Sequence, residues 1–386
     1  MLIDFRCSYE DFKSDFFEKK PLLIKGAFIP PDFPLAIIED ALAVVDPSEA
    51  YLKVLKNAVR VDQSLLTEEY IDLGIRRRRI RKDALYKNLE DDASLVLNRI
   101  DLYSSIVSDI CLQVSRFAKA QASANAYLSF GREPATDVHW DRHDIFAIQL
   151  FGEKRWEIYQ PTFELPLNSQ VSSNKKSEVP DKAVLDIVLQ AGDVIYLPRG
   201  WWHRVAPVED KPTLHVAVGA HSPLVLDYLI WACGNKLPDH LLFRKSVNSI
   251  EDNGGQLADI IAKLSEILVT QSTFDEFLQR AQSRERVNSH MSLTDVFLPH
   301  TREGKQRHLA LQVNSRYAVP DNFIVINGQS HFLTTAERLA IDFIACERKA
   351  TTLDLHKKLS DNGFHSSSEI INSLMKRDII SFLPNY

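Results

Sequence analysis

Two histidines and one aspartate have the residue types and spacing of a metal site. One residue separates His139 from Asp141, and residues i and i+2 of a β-strand point to the same face. These two side chains can therefore hold one ion together, and a third ligand, His203, must come from another strand. Two histidines and one carboxylate on one side of a metal, with the other positions open, form the facial triad of non-haem Fe(II) oxygenases. In the alternative interpretation, the three residues are structural and bind no metal.

The sequence around His203 strengthens the hypothesis of a triad. Residues 192–193 (Gly-Asp) predict a tight turn, and residues 194–197 (Val-Ile-Tyr-Leu) predict a strand. Residues 198–200 (Pro-Arg-Gly) then turn the chain, so that His203 enters the next strand. The other two members of the triad likewise lie in a β-rich region, just before a predicted strand.

Lys154 is a second candidate for chemistry. It follows a Gly152-Glu153 turn, and strand alternation places it on the same face as Trp156 and Ile158. A lysine directed at an apolar interior is costly unless it is paired, and no acidic residue shares that face of the strand. A carboxylate of a ligand is therefore one candidate partner. In the other interpretation, Lys154 lies at the end of the hairpin and extends its ammonium group to water.

Two further strands carry small and polar side chains on one face. These side chains are Asn125, Tyr127 and Ser129 on the first strand and Thr213, His215, Ala217 and Gly219 on the second. If that face points into a barrel, it leaves room for a small polar ligand. His215 taken alone is also compatible with a hydrogen-bonded histidine of the core.

The elements that must position these residues follow from the periodicity of the sequence. Over residues 124–220 the period is two, and Gly, Pro, Asn and Asp separate several short strands, which is typical of a β-barrel or sandwich. A helix is predicted over residues 104–122, before this region. Two helical stripes follow it, over residues 257–268 and 274–281. They are most simply core or oligomer contacts.

The last 65 residues have a pattern of their own, with the order strand, helix, helix, helix, strand. Thr334 and Glu337 predict a capping box at the start of the first helix, and residues 379–383 form the closing strand. This order suits a winged helix-turn-helix, and a polar linker over residues 282–305 precedes it. Residues 331–386 include seven basic and seven acidic residues, so they lack the positive charge of a module that binds duplex DNA. We expect a structural or protein-contacting role.

Composition excludes several classes of protein. With 386 residues, 45% apolar and 25% charged, the chain is an ordinary folded protein of two or three domains, not a disordered, collagen-like or disulfide-scaffold chain. Its net charge of −6 gives no overall attraction to nucleic acid or anionic lipid. Residues 76–82 nevertheless contain six basic residues in seven. They fit a solvated helix or loop, or a contact for RNA or an acidic surface.

The cysteines and the apolar segments predict a cytoplasmic protein. The four cysteines are far apart in the sequence, which favours free thiols in a reducing compartment. The first 20 residues mix acidic with apolar residues and do not have the form of a signal peptide. The apolar stretch over residues 224–233 is interrupted by Asp227 and is too short to span a bilayer.

Two segments of the sequence resemble the JmjC/cupin-4 family of Fe(II)- and 2-oxoglutarate-dependent oxygenases. They are residues 139–159 (HWDRHDIFAIQLFGEKRWEIY) and residues 192–203 (GDVIYLPRGWWH). Within that family, the chain is most similar to the ribosomal oxygenase group, which hydroxylates ribosomal proteins. The resemblance implies an α+β chain with a double-stranded β-helix (jelly-roll, cupin) barrel and its N-terminal flanking elements over residues 1–222. A helical dimerisation region with a linker over residues 223–305 and a winged-helix-like domain over residues 306–386 would follow.

The resemblance also implies roles for individual residues. The residues implied to hold Fe(II) and form the catalytic centre are His139, Asp141 and His203. The residues implied to bind 2-oxoglutarate are Lys154, Asn125, Tyr127 and His215, with Lys154 on the distal carboxylate. Some bacterial arginine hydroxylases of the group have arginine at the position of Lys154, whereas the histidine-hydroxylating eukaryotic members have lysine. This one residue affects the binding of the cosubstrate and does not identify the target.

The implied reaction couples O₂ and the decarboxylation of 2-oxoglutarate to the hydroxylation of an arginine or histidine of a ribosomal protein. Two alternatives stay open, a JmjC-type N-methyl-lysine demethylase and a cupin-like binding module without turnover. We expect a cytoplasmic homodimer that binds a protein substrate, has no membrane association and does not bind DNA directly. The sequence does not decide which protein is the target, or whether residues 76–82 contact RNA or an acidic surface.

Overall fold

A computed structural model describes residues 3–48, 50–209, 211–247, 255–284, 291, 293–298, 307–312, 323–346 and 350–382. The chain divides into two compact units, the first ending at His221 and the second beginning at Ser222. No helix among the described residues is long and apolar enough to cross a bilayer.

The first unit contains most of the strands. Its elements are α1 (Tyr9–Asp15), β1 (Leu22–Ile24), α2 (Ala36–Val44), β2 (Leu52–Lys56), β3 (Val59–Arg60), α3 (Gln63–Leu66), β4 (Thr67–Asp72), β5 (Ile75–Ile80), α4 (Lys82–Glu90), β6 (Ser94–Leu97), α5 (Ser105–Ala118), β7 (Gln121–Ser129), β8 (Asp144–Phe151), β9 (Glu153–Tyr159), β10 (Leu185–Gln190), β11 (Val194–Leu197), β12 (Trp202–Pro207) and β13 (Thr213–His221).

The second unit is mainly helical. Its elements are α6 (Val225–Asn235), α7 (Leu241–Arg244), α8 (Gly255–Val269), α9 (Gln271–Arg284), α10 (Leu293–Phe297), β14 (Leu309–Leu311), β15 (Phe323–Ile326), β16 (Gln329–Phe332), α11 (Thr335–Cys346), α12 (Thr352–Asp361), α13 (Ser367–Lys376) and β17 (Ile380–Phe382).

Two antiparallel sheets build the cupin-type barrel of the first unit. The larger has the strand order β1-β11-β8-β13-β7-β6-β2-β3, and the smaller has the order β10-β9-β12. Strand β8 is buried on both faces, which explains its continuous apolar sequence. Phe146 and Ile148 belong to the core that α5 and the N-terminal helices share with the large sheet. Ile145 and Ala147 face the other way and pack with Trp156 of the small sheet.

The predicted β-rich region is confirmed, but its boundaries are too narrow. Strands β1, β2, β3 and β6 precede residue 124 and belong to the large sheet. The helix predicted over residues 104–122 ends earlier, at Ala118, and residues 121 and 122 already belong to β7. Lys119 adopts a left-handed backbone conformation (φ 50°) that stops the helix. Because a lysine rather than a glycine occupies this position, the sequence gives no stop signal.

The basic segment over residues 76–82 is neither a helix nor a loop through most of its length. Residues 76–80 lie in β5, which pairs with β4 in a separate two-stranded sheet. Leu73 and Gly74 both have positive φ, as a tight two-residue turn between antiparallel strands requires. The expectation of a solvated helix or loop is therefore wrong for this segment, although its exposure to solvent is confirmed.

The helices predicted for the second unit are confirmed by α8 and α9. Thr334 and Glu337 form the predicted capping box, because each side chain accepts a hydrogen bond from the backbone N–H of the other residue. Strand β14 pairs with β17, and β15 pairs with β16. Most of the predicted linker and the last residue of the predicted strand over residues 379–383 lie outside the described residues. The described part of the linker is largely helical, since it holds the end of α9 and the whole of α10, so the expectation of a linker is wrong there. The boundary expected at residues 305–306 stays a prediction.

Candidate metal and ligand site

A backbone bridge places His139 beside His203. The N–H of His139 donates to the carbonyl of His203 at 3.1 Å, and the N–H of His203 donates to the carbonyl of His139 at 2.8 Å. The N–H of Gly200 donates to the carbonyl of Asp141 at 3.0 Å and fixes the backbone there. One ligand atom from each of the three residues lies within 4.8 Å of the other two. The structure thus brings the predicted triad together.

Hydrogen bonds from Nδ1 of His139 and His203 leave the Nε2 atoms of both rings near Asp141. Nδ1 of His139 donates to the carbonyl of Asp137 at 2.8 Å, and Nδ1 of His203 donates to the carbonyl of Trp201 at 3.1 Å. With Nδ1 protonated, Nε2 keeps a lone pair for a metal. The two Nε2 atoms lie 4.0 Å (His139) and 3.6 Å (His203) from oxygens of Asp141. The sequence analysis missed both carbonyl partners, because backbone acceptors leave no signal in residue types.

The protonation states suit a divalent cation. Burial, assisted by the neighbouring His139, lowers the pKa of His203 to about 4, so that its ring is neutral at pH 7. Burial disfavours the charged form of Asp141, but His139 and His203 outweigh that effect and leave the pKa of Asp141 below its ordinary value. One carboxylate and two imidazoles with open positions beside them fit Fe(II).

Lys154 points into the barrel. Its residue is 2% exposed, and Nζ donates to Nδ1 of His215 at 2.8 Å and to the carbonyl of Tyr127 at 3.1 Å. The interpretation in which Lys154 extends to water is therefore wrong. No carboxylate in the described part of the chain forms an ion pair with it. Burial lowers the pKa of Lys154 to about 7, because no nearby charge compensates the buried ammonium group, and an added anion would stabilise its charged form.

His215 and Tyr127 form the wall next to Lys154. Their rings are stacked, with centroids 4.9 Å apart and planes 4° from parallel. Burial and then the charge of Lys154 lower the pKa of His215 well below its ordinary value, so His215 is a neutral acceptor. Burial and then the charge of Asp141 raise the pKa of Tyr127 to about 12. His215 is thus both a hydrogen-bonded core histidine and a lining residue, so the two interpretations of it are compatible.

One cavity joins the triad to Lys154. Its lining consists of Tyr127, Ser129, Ala135, Thr136, His139, Asp141, Ile145, Lys154, Trp156, His203, Val205, Pro207, His215 and Ala217. Asn125 is not part of this lining, and its side chain accepts a hydrogen bond from the N–H of Arg99 at 3.1 Å. Sequence reasoning missed Thr136, Val205 and Pro207. Val205 and Pro207 could have been predicted as lining residues, because they share the face of β12 that carries His203.

The geometry of the triad predicts the effect of removing one ligand. We expect His203→Ala to weaken the binding of Co(II) by at least about 100-fold, because only two of the three donors remain. Isothermal titration calorimetry under anaerobic conditions measures the affinity.

His221→Ala is the matched control. This residue lies outside the triad, so its loss should leave the Co(II) affinity within about twofold of wild type. Equal losses in the two variants would show that the triad is not the metal site.

Comparison with known proteins supports the same family. Residues 97–228 match the family model of the JmjC domain. The chain is 28% identical over 174 residues to the bifunctional lysine-specific demethylase and histidyl-hydroxylase NO66 of Drosophila persimilis, with 44% of this chain and 25% of that protein covered. It is 26% identical over 222 residues to ribosomal oxygenase 1 of Danio rerio, with 55% of this chain and 38% of that protein covered. The chain thus spans only a minor part of these relatives.

Solved structures of other proteins have a fold similar to that of this chain. Escherichia coli ribosomal oxygenase YcfD matches with a TM-score of 0.60 and 16% identity, over 99% of this chain and 100% of that one. A structure of the same protein in complex with cobalt and 2-oxoglutarate matches with a TM-score of 0.57 and 16% identity, over 99% of this chain and 100% of that one. The JmjC match over the barrel and the ribosomal oxygenases among the relatives thus agree with the resemblance of this chain to the JmjC ribosomal oxygenases.

Proposed function

We propose that the chain is an Fe(II)- and 2-oxoglutarate-dependent protein hydroxylase. One observation carries the proposal: a triad suited to Fe(II) and a buried lysine without a carboxylate partner among the described residues line the same cavity. Relatives named as a histidyl-hydroxylase and a ribosomal oxygenase support it, as does the complex of a structural relative with cobalt and 2-oxoglutarate.

The metal and the cosubstrate would supply the oxidative chemistry. Bound Fe(II) couples the conversion of 2-oxoglutarate and O₂ to succinate and CO₂ with the insertion of one oxygen atom into a C–H bond of the substrate. His139, Asp141 and His203 would hold the ion on one side and leave its other positions open.

Lys154 would pair with the distal carboxylate of 2-oxoglutarate. His215 holds the ammonium group in place from one side and the carbonyl of Tyr127 holds it from another. Trp156 and Ile158, both buried on the same face of β9, keep water away from this end of the cavity and strengthen the ion pair. Tyr127 stays protonated at neutral pH, so its hydroxyl can donate to the cosubstrate. Asn125, beyond the cavity lining, would act through Tyr127.

The substrate would be an arginine or histidine side chain of a ribosomal protein. The names of the relatives support this class. The demethylase part of one relative's name favours N-methyl-lysine demethylation as the second candidate, since both reactions begin with hydroxylation of a carbon atom. The third candidate is a binding module without turnover, and the presence of all three ligands and Lys154 counts against it.

The second unit would serve dimerisation and protein contacts. Helices α6 and α8 expose apolar side chains, among them Val225, Ile230 and Ile261, each more than 60% exposed. The order of β15, β16, α11, α12, α13 and β17 fits a winged helix, and the equal numbers of acidic and basic residues favour a protein contact over DNA. Free cysteines among the described residues support a cytoplasmic location.

Sedimentation equilibrium tests the proposed homodimer. We expect twice the monomer mass for wild type and a shift toward monomer for Ile230→Glu, because a charge on an apolar interface is costly. Lys263→Glu on α8 is the control, since Lys263 pairs with Glu266 on its own helix and its replacement should not change the mass. A wild-type monomer at micromolar concentration would contradict the proposal.

The proposed activity is tested with anaerobically reconstituted enzyme and ribosomal proteins. We expect O₂-dependent succinate formation together with a mass increase of one oxygen atom on a protein, measured by mass spectrometry. His139→Ala should abolish both signals, whereas His221→Ala should retain them.

The reaction products distinguish the hydroxylase from the demethylase and from the binding module. Release of formaldehyde from a methylated lysine would favour the demethylase. Binding of Fe(II) and 2-oxoglutarate with no oxidation of any ribosomal protein or methyl-lysine peptide would favour the binding module.

The pKa of Lys154 predicts a pH dependence of cosubstrate binding. Because the ligand carboxylate binds the protonated amine and the pKa of the unliganded site is about 7, the protonated fraction falls as pH rises above 7. We expect the apparent Kd for 2-oxoglutarate with Co(II) to rise by up to about tenfold per pH unit between pH 7.5 and 9.

Lys154→Arg separates this effect from changes at the metal. The guanidinium stays charged over the same pH range, so the slope should disappear whatever the absolute affinity. His215 is neutral throughout and contributes no proton. A slope that is identical in wild type and Lys154→Arg would assign the pH dependence to another group.

A further inference from the structure

The hairpin of β4 and β5 carries an arginine cluster that the oxygenase site does not use. Residues 76–79 are four consecutive arginines on one strand. Strand alternation directs Arg76 and Arg78 to one face of the hairpin and Arg77 and Arg79 to the other. Their side chains are between 45% and 75% exposed, and no residue over 67–82 is buried. Both faces of the hairpin are therefore open to solvent.

The acidic side chains of β4 pair with the arginines but do not use all of their N–H donors. On one face, Glu69 lies 3.2 Å from Arg76 and 3.1 Å from Arg78. On the other face, Asp72 lies 2.8 Å from Arg77 and Glu68 lies 2.5 Å from Arg79. A guanidinium has five N–H donors, so most donors remain available. Exposed ion pairs contribute little to stability, so another anion can replace these carboxylates.

The hairpin is also basic within an acidic protein. Residues 67–82 contain six basic and three acidic residues, a net charge of +3, whereas the whole chain has a net charge of −6. An attraction to polyanions would therefore be local to this hairpin.

We propose that the β4–β5 hairpin binds RNA through the phosphates of a stem. Guanidinium groups bind phosphates in a bidentate manner, and the cluster consists of arginines rather than lysines. Arginines on both faces suit a ribbon with phosphates on both sides, as where a loop or bulge opens the narrow major groove of an RNA stem. A flat acidic protein surface would contact only one face. This site would be independent of turnover, and it would hold the enzyme near proteins assembled on RNA.

The test uses full-length protein and a fluorescent 30-nucleotide RNA stem-loop, with binding measured by fluorescence anisotropy. If four phosphates are contacted, binding should weaken by roughly 50- to 150-fold between 50 and 200 mM salt. Arg76→Gln/Arg78→Gln and Arg77→Gln/Arg79→Gln should each weaken binding and reduce the slope of log K against log salt by about two. Loss from only one of the two faces would overturn the two-faced arrangement.

Two further variants distinguish a binding site from misfolding. Glu68→Gln/Glu69→Gln removes competing carboxylates and should tighten RNA binding, which a folding defect would not do. Lys357→Gln/Lys358→Gln removes two exposed charges from α12 of the second unit and should leave binding unchanged.

Competitors decide the class of partner. Duplex DNA of the same sequence should compete less well than the RNA, and so should polyglutamate of equal charge. Equal or better competition by either polymer, or no RNA binding by wild type at 50 mM salt, would overturn the proposal.

Discussion

The pair of backbone hydrogen bonds between His139 and His203 is the constraint on which the site depends. These residues are 64 positions apart in the sequence, and the bridge puts their rings 4.4 Å apart, centroid to centroid. The carbonyl of Asp141 accepts a hydrogen bond from Gly200, three residues before His203, so its backbone is held beside the bridge, and its carboxylate lies 4.0 Å and 3.6 Å from the two rings. The Nδ1 bonds to two backbone carbonyls complete the arrangement, since they fix which nitrogen of each ring is free. Every ligand of the triad is thus oriented by backbone groups of the barrel.

Lys154 is a second constraint on the site, and this one lowers the stability of the fold. A buried amine without a carboxylate partner costs stability, and His215 and the carbonyl of Tyr127 offset only part of that cost, because both are neutral. The barrel tolerates this cost close to the triad, where a dianionic ligand would relieve it. The burial that lowers the pKa of Lys154 also makes an ion pair stronger once it forms. Stability of the empty barrel and affinity for a ligand are therefore opposed at this residue.

The sequence predicted the triad, the strands around it and the inward face of β9, because these depend on a period of two and on a few residue types. It did not predict β2, β3 and β6 of the large sheet, which are only two to five residues long. The sequence also did not predict that the helix before β7 ends at Lys119, which has a left-handed backbone conformation. It did not predict a strand within residues 76–82, which depends on the tight turn before it. Within the site, Asp137 and Trp201 were missed because they act through their carbonyls, which every residue has.

The inward position of Lys154 depends on a single glycine. Gly152 alone connects β8 of the large sheet to β9 of the small sheet, and its φ of 65° is left-handed. A Cβ on Gly152 would lie 2.2 Å from the carbonyl oxygen of Pro212, so only glycine fits there. A slip of one residue in β9 would turn Lys154 outward and bring Arg155 into the cavity. Arg155 instead lies outside the barrel, where it pairs with Asp186 of β10 at 2.5 Å. The same register thus directs one cation to the cavity and the next to an exposed ion pair, and the chemistry of the site follows from the geometry of this turn.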